Sequence, residues 1–349
     1  LRQFTVLDAA QLEQALQQAW LDELNGTARE IVQLDVAEAL FNLHDFPNAV
    51  RTYETYVATH AHSSYAPKAQ YMLARSLLRL ARQRRLEGEE PAADSLAALA
   101  LQEFRILSDG GDGPWARRAQ IQRLELEAAV FSDSARYAML EGGFSEILKN
   151  GERAGGRALL GRADARRNLQ EWNPDKLDLA LIDFRQLVRS APDSNLQPLA
   201  LYGLGRALVQ KGSYSTAVDT LEELLRAFPG SELTAATLYE IGQLLKQQRK
   251  LDEAAARYRE LLWSHPAFPE RRQVQLNLAD IHFELGEFGP ALELYRQSTG
   301  SSGLDGAVWR RIAQCHQRRG EAAAALEVLR GVVTREPEAS DLDSLTYTM

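Results

Sequence analysis

The chain has 349 residues, of which 45% are apolar and 25% charged, and a net charge of −8, the composition of a folded protein without the chain-wide basic surface that nucleic-acid binding normally needs. Its single cysteine, Cys315, excludes an intrachain disulfide and a multi-cysteine metal site. The apolar runs are short, as at Ala97-Ala98-Leu99-Ala100-Leu101, and far below the ~20 residues of a membrane helix. The opening Leu-Arg-Gln-Phe carries no initiator Met and no visible leader, so we expect a processed or trimmed chain.

Residues 8–24 read as a leading helix. Asp8 with Gln11 has the form of a capping box, Asn25-Gly26 supplies a stop, and Leu12, Leu16, Trp20, Leu21 and Leu24 form one apolar face. We expect residues 1–28 to cap the first helical hairpin. Over 29–106, Val36-Ala37, Phe46, Ala49 and Tyr53 outline that hairpin, with His44 at its turn. Leu73-Ala74 opens the next one 37 residues later, and Ala100 and Phe104 complete it after an insertion near 85–94. Residues 107–195 are helical by pattern but degenerate. Ala180, Phe184, Leu187 and Pro192 mark a second helix there, preceded by a first helix within 152–170.

From 196 to 338 the pattern is regular. Leu204-Gly205, Gly212, Tyr214, Ala217, Leu221 and Pro229 return, shifted by 37, as Ile241-Gly242, Leu251, Ala254, Tyr258 and Pro266. A further 37 gives Leu278-Ala279, Gly286, Phe288, Ala291 and Tyr295, and a last shift of 34 gives Ile312-Ala313, Gly320, Ala325, Leu329 and Pro337. Each position has a mechanical reason. Small residues in both helices let neighbours approach, glycine closes the turn between them, and proline ends the second helix. Pro290 sits in a first turn, where its missing N–H costs little. Residues 339–349 read as a poorly ordered tail, and no strand-like alternation of useful length appears.

These positions resemble the tetratricopeptide repeat. The resemblance implies an all-α fold, a right-handed superhelical solenoid of antiparallel helix pairs whose first helices line a concave face, with four units over 196–338 and two over 29–106. It implies a non-enzymatic protein–protein interaction scaffold that uses no cofactor or metal. In that register the groove candidates are Tyr71, Arg75, Arg79, Tyr202, Arg206, Tyr239, Gln243, Lys246, Asn277, Asp280, Arg310, Arg311, Gln314 and Arg318. Exposed tyrosines among arginines suit a protein surface. Arg75/Arg79 and Arg310/Arg311/Arg318 make its ends cationic and point to an acidic segment of a partner. The carboxylate clamp of some family members is incomplete. Asn277 and Arg311 stand at two of its positions, but Tyr239, Gln243 and Ala307 replace the rest.

Residues 227–242, with Pro229-Gly230-Ser231 before a new unit, resemble bacterial cell-envelope repeats, and Ala191-Pro192-Asp193-Ser194 and Thr59 to Ala66 echo them. The excess of arginine over lysine, 34 to 6, also suits a bacterial source. The implied location is the periplasm or the inner face of the outer membrane, with the cytoplasm as the alternative. Membrane association would come only through a partner or a removed N-terminal anchor. A second reading is a regulatory or recruiting subunit of an envelope enzyme handling polysaccharide or cell wall.

Catalytic constellations are sparse. His60 and His62 share a turn without a third ligand. His282 and His316 occupy equivalent positions in adjacent units, which suits a partly buried pair. Cys315 beside His316 points elsewhere on its helix, so a small buried residue is expected. Gly151, Gly155, Gly156 and Gly161 lack the strand and Gly-Lys-Ser/Thr of a phosphate loop and are expected to loosen a helix.

Overall fold

The computed structural model describes residues 26–111, 113–129, 133–149, 155–190, 195–299 and 306–335. The leading helix expected over 8–24 and the tail 339–349 lie outside these residues. Among the described residues there are sixteen α-helices and no strand. They form successive hairpins: α1 (Gly26–Asn42) with α2 (Phe46–Thr59), α3 (Ala66–Leu86) with α4 (Glu90–Asp109), α5 (Pro114–Ala128) with α6 (Asp133–Lys149), and α7 (Gly155–Asn168) with α8 (Asp175–Ser190). The series continues with α9 (Gln197–Gln210) and α10 (Tyr214–Ala227), α11 (Thr234–Gln247) and α12 (Leu251–Ser264), α13 (Arg271–Glu284) and α14 (Phe288–Ser298), and α15 (Gly306–Arg318) and α16 (Ala322–Arg335). The chain divides into two compact units, Leu1–Asp183 and Phe184–Met349, and the divide falls within α8.

Six of the turns inside the hairpins share one geometry. In the α9–α10 turn the Gly212 N–H donates to the Val209 carbonyl and the Ser213 N–H to the Leu208 carbonyl, the Schellman closure of a helix C-terminus. The same pair of bonds recurs at His44, Gly88, Arg249, Gly286 and Gly320. All six residues have φ between +63° and +84°. The turns between hairpins repeat as well. Ser231 N–H donates to the Phe228 carbonyl and Thr234 N–H to the Ser231 carbonyl, and the same steps occur at 60–66 and 265–271. The Ser231 hydroxyl also accepts from Leu233 N–H at 3.2 Å, as Ser63 does from Tyr65 N–H. Two linked turns of this kind explain how a unit can span 37 residues.

Packing follows the small-and-large pattern. Ala49, Ala100, Ala180, Ala217, Ala254 and Ala291 are fully buried. So are the large residues one turn later: Tyr53, Phe104, Phe184, Leu221, Tyr258 and Tyr295, each at most 1% exposed. In the α9–α10 and α11–α12 hairpins the small residue of the first helix faces this large side chain. A Cβ built on Gly242 would lie 2.5 Å from the Tyr258 ring, and one on Gly205 would lie 2.6 Å from Leu221. Truncating such a buried ring to alanine costs about 3–5 kcal/mol.

Unit 1 departs from the regular pattern twice. The extra residues of the second hairpin lie mostly in its helices. α3 has 21 residues and α4 has 20, against 14 in α9 and α11, while the turn between them is a short one through Gly88. The degenerate segment is held by ions. Asp183, 2% exposed, accepts from Arg162 through both carboxylate oxygens (2.9 and 2.7 Å) and from Arg166 Nη1 at 2.7 Å. Arg166 Nε also donates to Glu141, which pairs with Lys176 Nζ at 2.7 Å. Gly161 does not loosen its helix. Its missing side chain leaves room for the Phe144 ring, which a Cβ would meet at 2.5 Å.

Candidate functional site: the first-helix faces

In unit 2 the candidates on successive first helices meet one another. The Tyr202 hydroxyl donates to Glu240 Oε1 at 3.5 Å. Arg206 lies over the Tyr202 ring at 5.9 Å and pairs with the same Glu240 at 3.6 Å. Tyr239 is half-buried and tilts against Tyr258 and Phe268, with centroids 6.3 and 5.7 Å away. It therefore packs between elements rather than projecting freely. Gln243, one turn on, is exposed. Lys246 Nζ lies 3.4 Å from both Asn277 Oδ1 and Asp280 Oδ2, and Asn277 Nδ2 donates to the Tyr258 hydroxyl at 3.5 Å.

Beyond these a cleft of about 500 Å³ opens between α13 and α15. Gln273, Leu276 and Asp280 line one side, Ala307, Val308, Arg310, Arg311 and Gln314 the other, and Tyr295 also contributes. The Tyr295 hydroxyl donates to Asp280 Oδ1. Burial, reinforced by the bond to Asp280 and by its charge, raises the Tyr295 hydroxyl far above the ordinary phenol value, so it stays a donor. Arg311 lies over the Phe283 ring at 5.1 Å, with Nε 3.9 Å from Asp280. The cleft thus brings Asp280, Arg310, Arg311 and Gln314 together. Arg318 is exposed and does not line it. The cleft offers a fixed carboxylate, two guanidinium groups and the apolar surfaces of Leu276 and Val308.

In unit 1, Tyr71 sets its ring edge against Phe104 at 5.7 Å and tilts against Trp115 at 5.4 Å. Arg75 lies over Phe41 at 5.2 Å, and Arg79, one turn on, is exposed. On α1, burial and then the charge of Glu38 raise the Asp35 carboxyl above its ordinary value, while Glu38 pairs with Lys68 at 2.8 Å. Trp115, and Arg118 stacked on it, belong to this face but stand in the degenerate segment. No repeat register reaches them there. Glu240, the acceptor shared by Tyr202 and Arg206, was also absent from the sequence candidates. It lies on the same helix as Tyr239 and Gln243, but only the partner helix shows what it meets.

His282, His316 and Cys315 are committed to packing, whereas His62 is exposed. His316 Nδ1 lies 2.6 Å from Glu321 Oε2, and Arg296 Nη2 reaches its Nε2 at 3.1 Å. An arginine donating to Nε2 leaves the hydrogen on Nδ1, which donates to Glu321. His282 meets Glu287 in the same way through Nδ1. Both rings are buried. Burial pushes the Cys315 thiol up to about 11, the opposite of what a nucleophile needs. His60 is held by Glu30 at 3.2 Å and Gln33 at 3.0 Å. Among the described residues, no group of three His, Cys, Asp or Glu side chains could hold a metal ion, and no helix is long and apolar enough to cross a membrane.

The tetratricopeptide repeat family model matches residues 173–232 and 239–305. Over these residues the chain carries tetratricopeptide repeats. Solved structures of two proteins are similar at low identity. One is MamA, 14% identical, with 52% of this chain and 93% of that chain covered and a TM-score of 0.43. The other is YrrB, described as a TPR protein with an unusual peptide-binding site, 18% identical, with 56% and 93% covered and a TM-score of 0.44. MamA from Desulfovibrio magneticus RS-1 is 17% identical, with 51% and 97% covered and a TM-score of 0.40. No curated protein sequence matches.

Proposed function

We propose that this protein is a non-enzymatic scaffold or adaptor that holds a partner protein through the first-helix faces of its repeats. The cleft between α13 and α15 carries the proposal. Asp280 of α13 and Arg310, Arg311 and Gln314 of α15 converge there from two helices around an opening of about 500 Å³. Its chemistry suits an extended peptide segment with an acidic side chain opposite Arg310 and Arg311 and an apolar one against Leu276 and Val308. The same proposal assigns the protein to an assembly in the bacterial cell envelope, in the periplasm or at the inner face of the outer membrane. The Pro-x-Ser turn at 229–231 and its echoes support that reading, and fractionation of the source cells tests it.

A photo-crosslinking residue in place of Gln314 tests the binding site in cells. It should yield one or a few discrete adducts that disappear in the Arg310→Glu/Arg311→Glu background. Adducts that persist in that background, or none at all, would overturn the assignment.

A further inference from the structure

Helix α3 carries six basic side chains, Lys68, Arg75, Arg79, Arg82, Arg84 and Arg85, and no acidic one. Three of them are neutralised by neighbours. Lys68 pairs with Glu38 at 2.8 Å, Arg84 with Glu87 and Glu89 at 3.3 and 3.2 Å, and Arg85 with Glu90 and Asp94 at 3.1 and 2.6 Å. Arg75, Arg79 and Arg82 have no carboxylate within ion-pair distance among the described residues. Their spacing of four and three sets them on one face of the helix. A chain of net charge −8 therefore concentrates an uncompensated cationic strip on one helix.

Aromatic rings extend the strip across three first helices. The Arg75 guanidinium lies over Phe41 of α1 at 5.2 Å and near Tyr71 at 6.0 Å. Tyr71 meets Trp115 of α5 at 5.4 Å, and Arg118 lies over Trp115 at 4.4 Å. Arg118 also has no carboxylate within ion-pair distance among the described residues. A guanidinium stacked on a ring has its flat face covered and its N–H edge open. That arrangement fixes the fork and lowers the desolvation cost of gripping a carboxylate through two parallel bonds. The length of α3 adds to the strip, because seven residues more than in α9 make a helix longer by about 10 Å.

We propose that the first-helix face of unit 1 is a docking strip, separate from the cleft of unit 2, for an acidic peptide segment in which Asp or Glu alternates with apolar or aromatic side chains. The carboxylates engage Arg75, Arg79, Arg82 and Arg118, and the apolar side chains lie against Phe41, Tyr71 and Trp115. A nucleic-acid strand fits less well. Its continuous phosphate charge would run toward Asp35 and Glu38 at the α1 side of the strip and toward Glu125, two turns on from Arg118 on α5.

The test is fluorescence anisotropy on the full chain with three probes: a fluorescein-labelled peptide of alternating Glu and Leu, its Gln/Leu counterpart, and a single-stranded DNA of matching length. The Glu/Leu peptide should bind, weaken as salt rises, and lose about tenfold in affinity in Arg79→Glu/Arg82→Glu. Both residues are exposed, so circular dichroism should show that variant folded. Arg75→Ala/Arg118→Ala should weaken binding similarly, and Arg79→Glu/Arg82→Glu should cause the same loss when it is made in an Arg310→Glu/Arg311→Glu background, where the cleft of unit 2 is disabled. Three results would overturn the proposal: equal affinity for the Gln/Leu peptide, unchanged affinity in Arg79→Glu/Arg82→Glu, or tighter binding of the DNA. Loss in Arg310→Glu/Arg311→Glu alone would move acidic recognition to unit 2 and equally overturn it, while supporting the function proposed for the cleft.

Discussion

Six hairpin turns close through a residue in the left-handed region, and at two of them, His44 and Arg249, that residue is not glycine. A side chain there costs about 1–2 kcal/mol, partly offset because glycine has more freedom to lose on folding. Arg249→Gly should therefore stabilise the protein by about 0.5–1 kcal/mol, since the exposed pair of Arg249 with Glu284 contributes little. Gly212→Ala, at φ +77°, should destabilise it by about 1 kcal/mol. Urea midpoints read both, and a midpoint moving the other way in either variant would refute the turn argument. A different constraint acts at Gly242, whose backbone is helical but whose added Cβ would strike Tyr258 at 2.5 Å. Gly242→Ala should cost about 1–3 kcal/mol, and the smaller ring-free Tyr258→Leu should recover part of that loss in the double variant.

Between elements, the Asp183 network replaces the apolar repeat pattern. Asp183 accepts three hydrogen bonds from two arginines of α7 while almost wholly buried. Asp183→Ala leaves those cations facing a buried gap and should cost about 3–5 kcal/mol, whereas an apolar replacement of the whole cluster would be better tolerated. Glu141 gives the network a pH dependence. Burial alone would raise its carboxyl, but bonds from Lys176 and Arg166, with their charges, outweigh that and hold it below the ordinary value. A depressed carboxyl stabilises the fold above the ordinary carboxylate range and loses that contribution as pH falls through its folded value. Acid-induced unfolding followed by circular dichroism should therefore be less steep in Glu141→Gln than in the parent chain. An identical pH profile would show that Glu141 does not contribute.

Across the whole molecule, stability should behave as a sum over hairpins and their immediate neighbours. Within unit 2, Gly212 and Gly320 lie in hairpins separated by two others. Gly212→Ala combined with Gly320→Ala should therefore lower stability by the sum of the single losses, to within about 0.5 kcal/mol. Strong coupling, read from urea melts of the four chains, would point to cooperativity beyond nearest neighbours.

The repeat was legible in the sequence because its packing rule is local. A small residue opposite a large one recurs at a fixed interval, so Ala49 and Tyr53, Ala217 and Leu221, and Ala254 and Tyr258 announce both the helices and the buried side. Glycine at 212, 286 and 320 announced the turns for the same reason. Within 107–195 that rule shows at Ala180 and Phe184, but further contacts run through Arg162, Arg166, Glu141 and Asp183, whose pairing depends on helices brought together only by folding. The groove residues could be named by register, but not their company. Sequence alone set Tyr71, Tyr202 and Tyr239 on the first-helix face. Tertiary structure decided that Tyr71 and Tyr239 pack against neighbouring rings, that Asp280 joins Tyr295, Lys246 and Arg311, and that Arg75 and Arg118 stay without a carboxylate among the described residues. Repeating residues report contacts within and between neighbouring hairpins, which one sequence period encodes. Charge pairing across first helices joins residues 30–34 positions apart and is fixed only when those helices lie side by side.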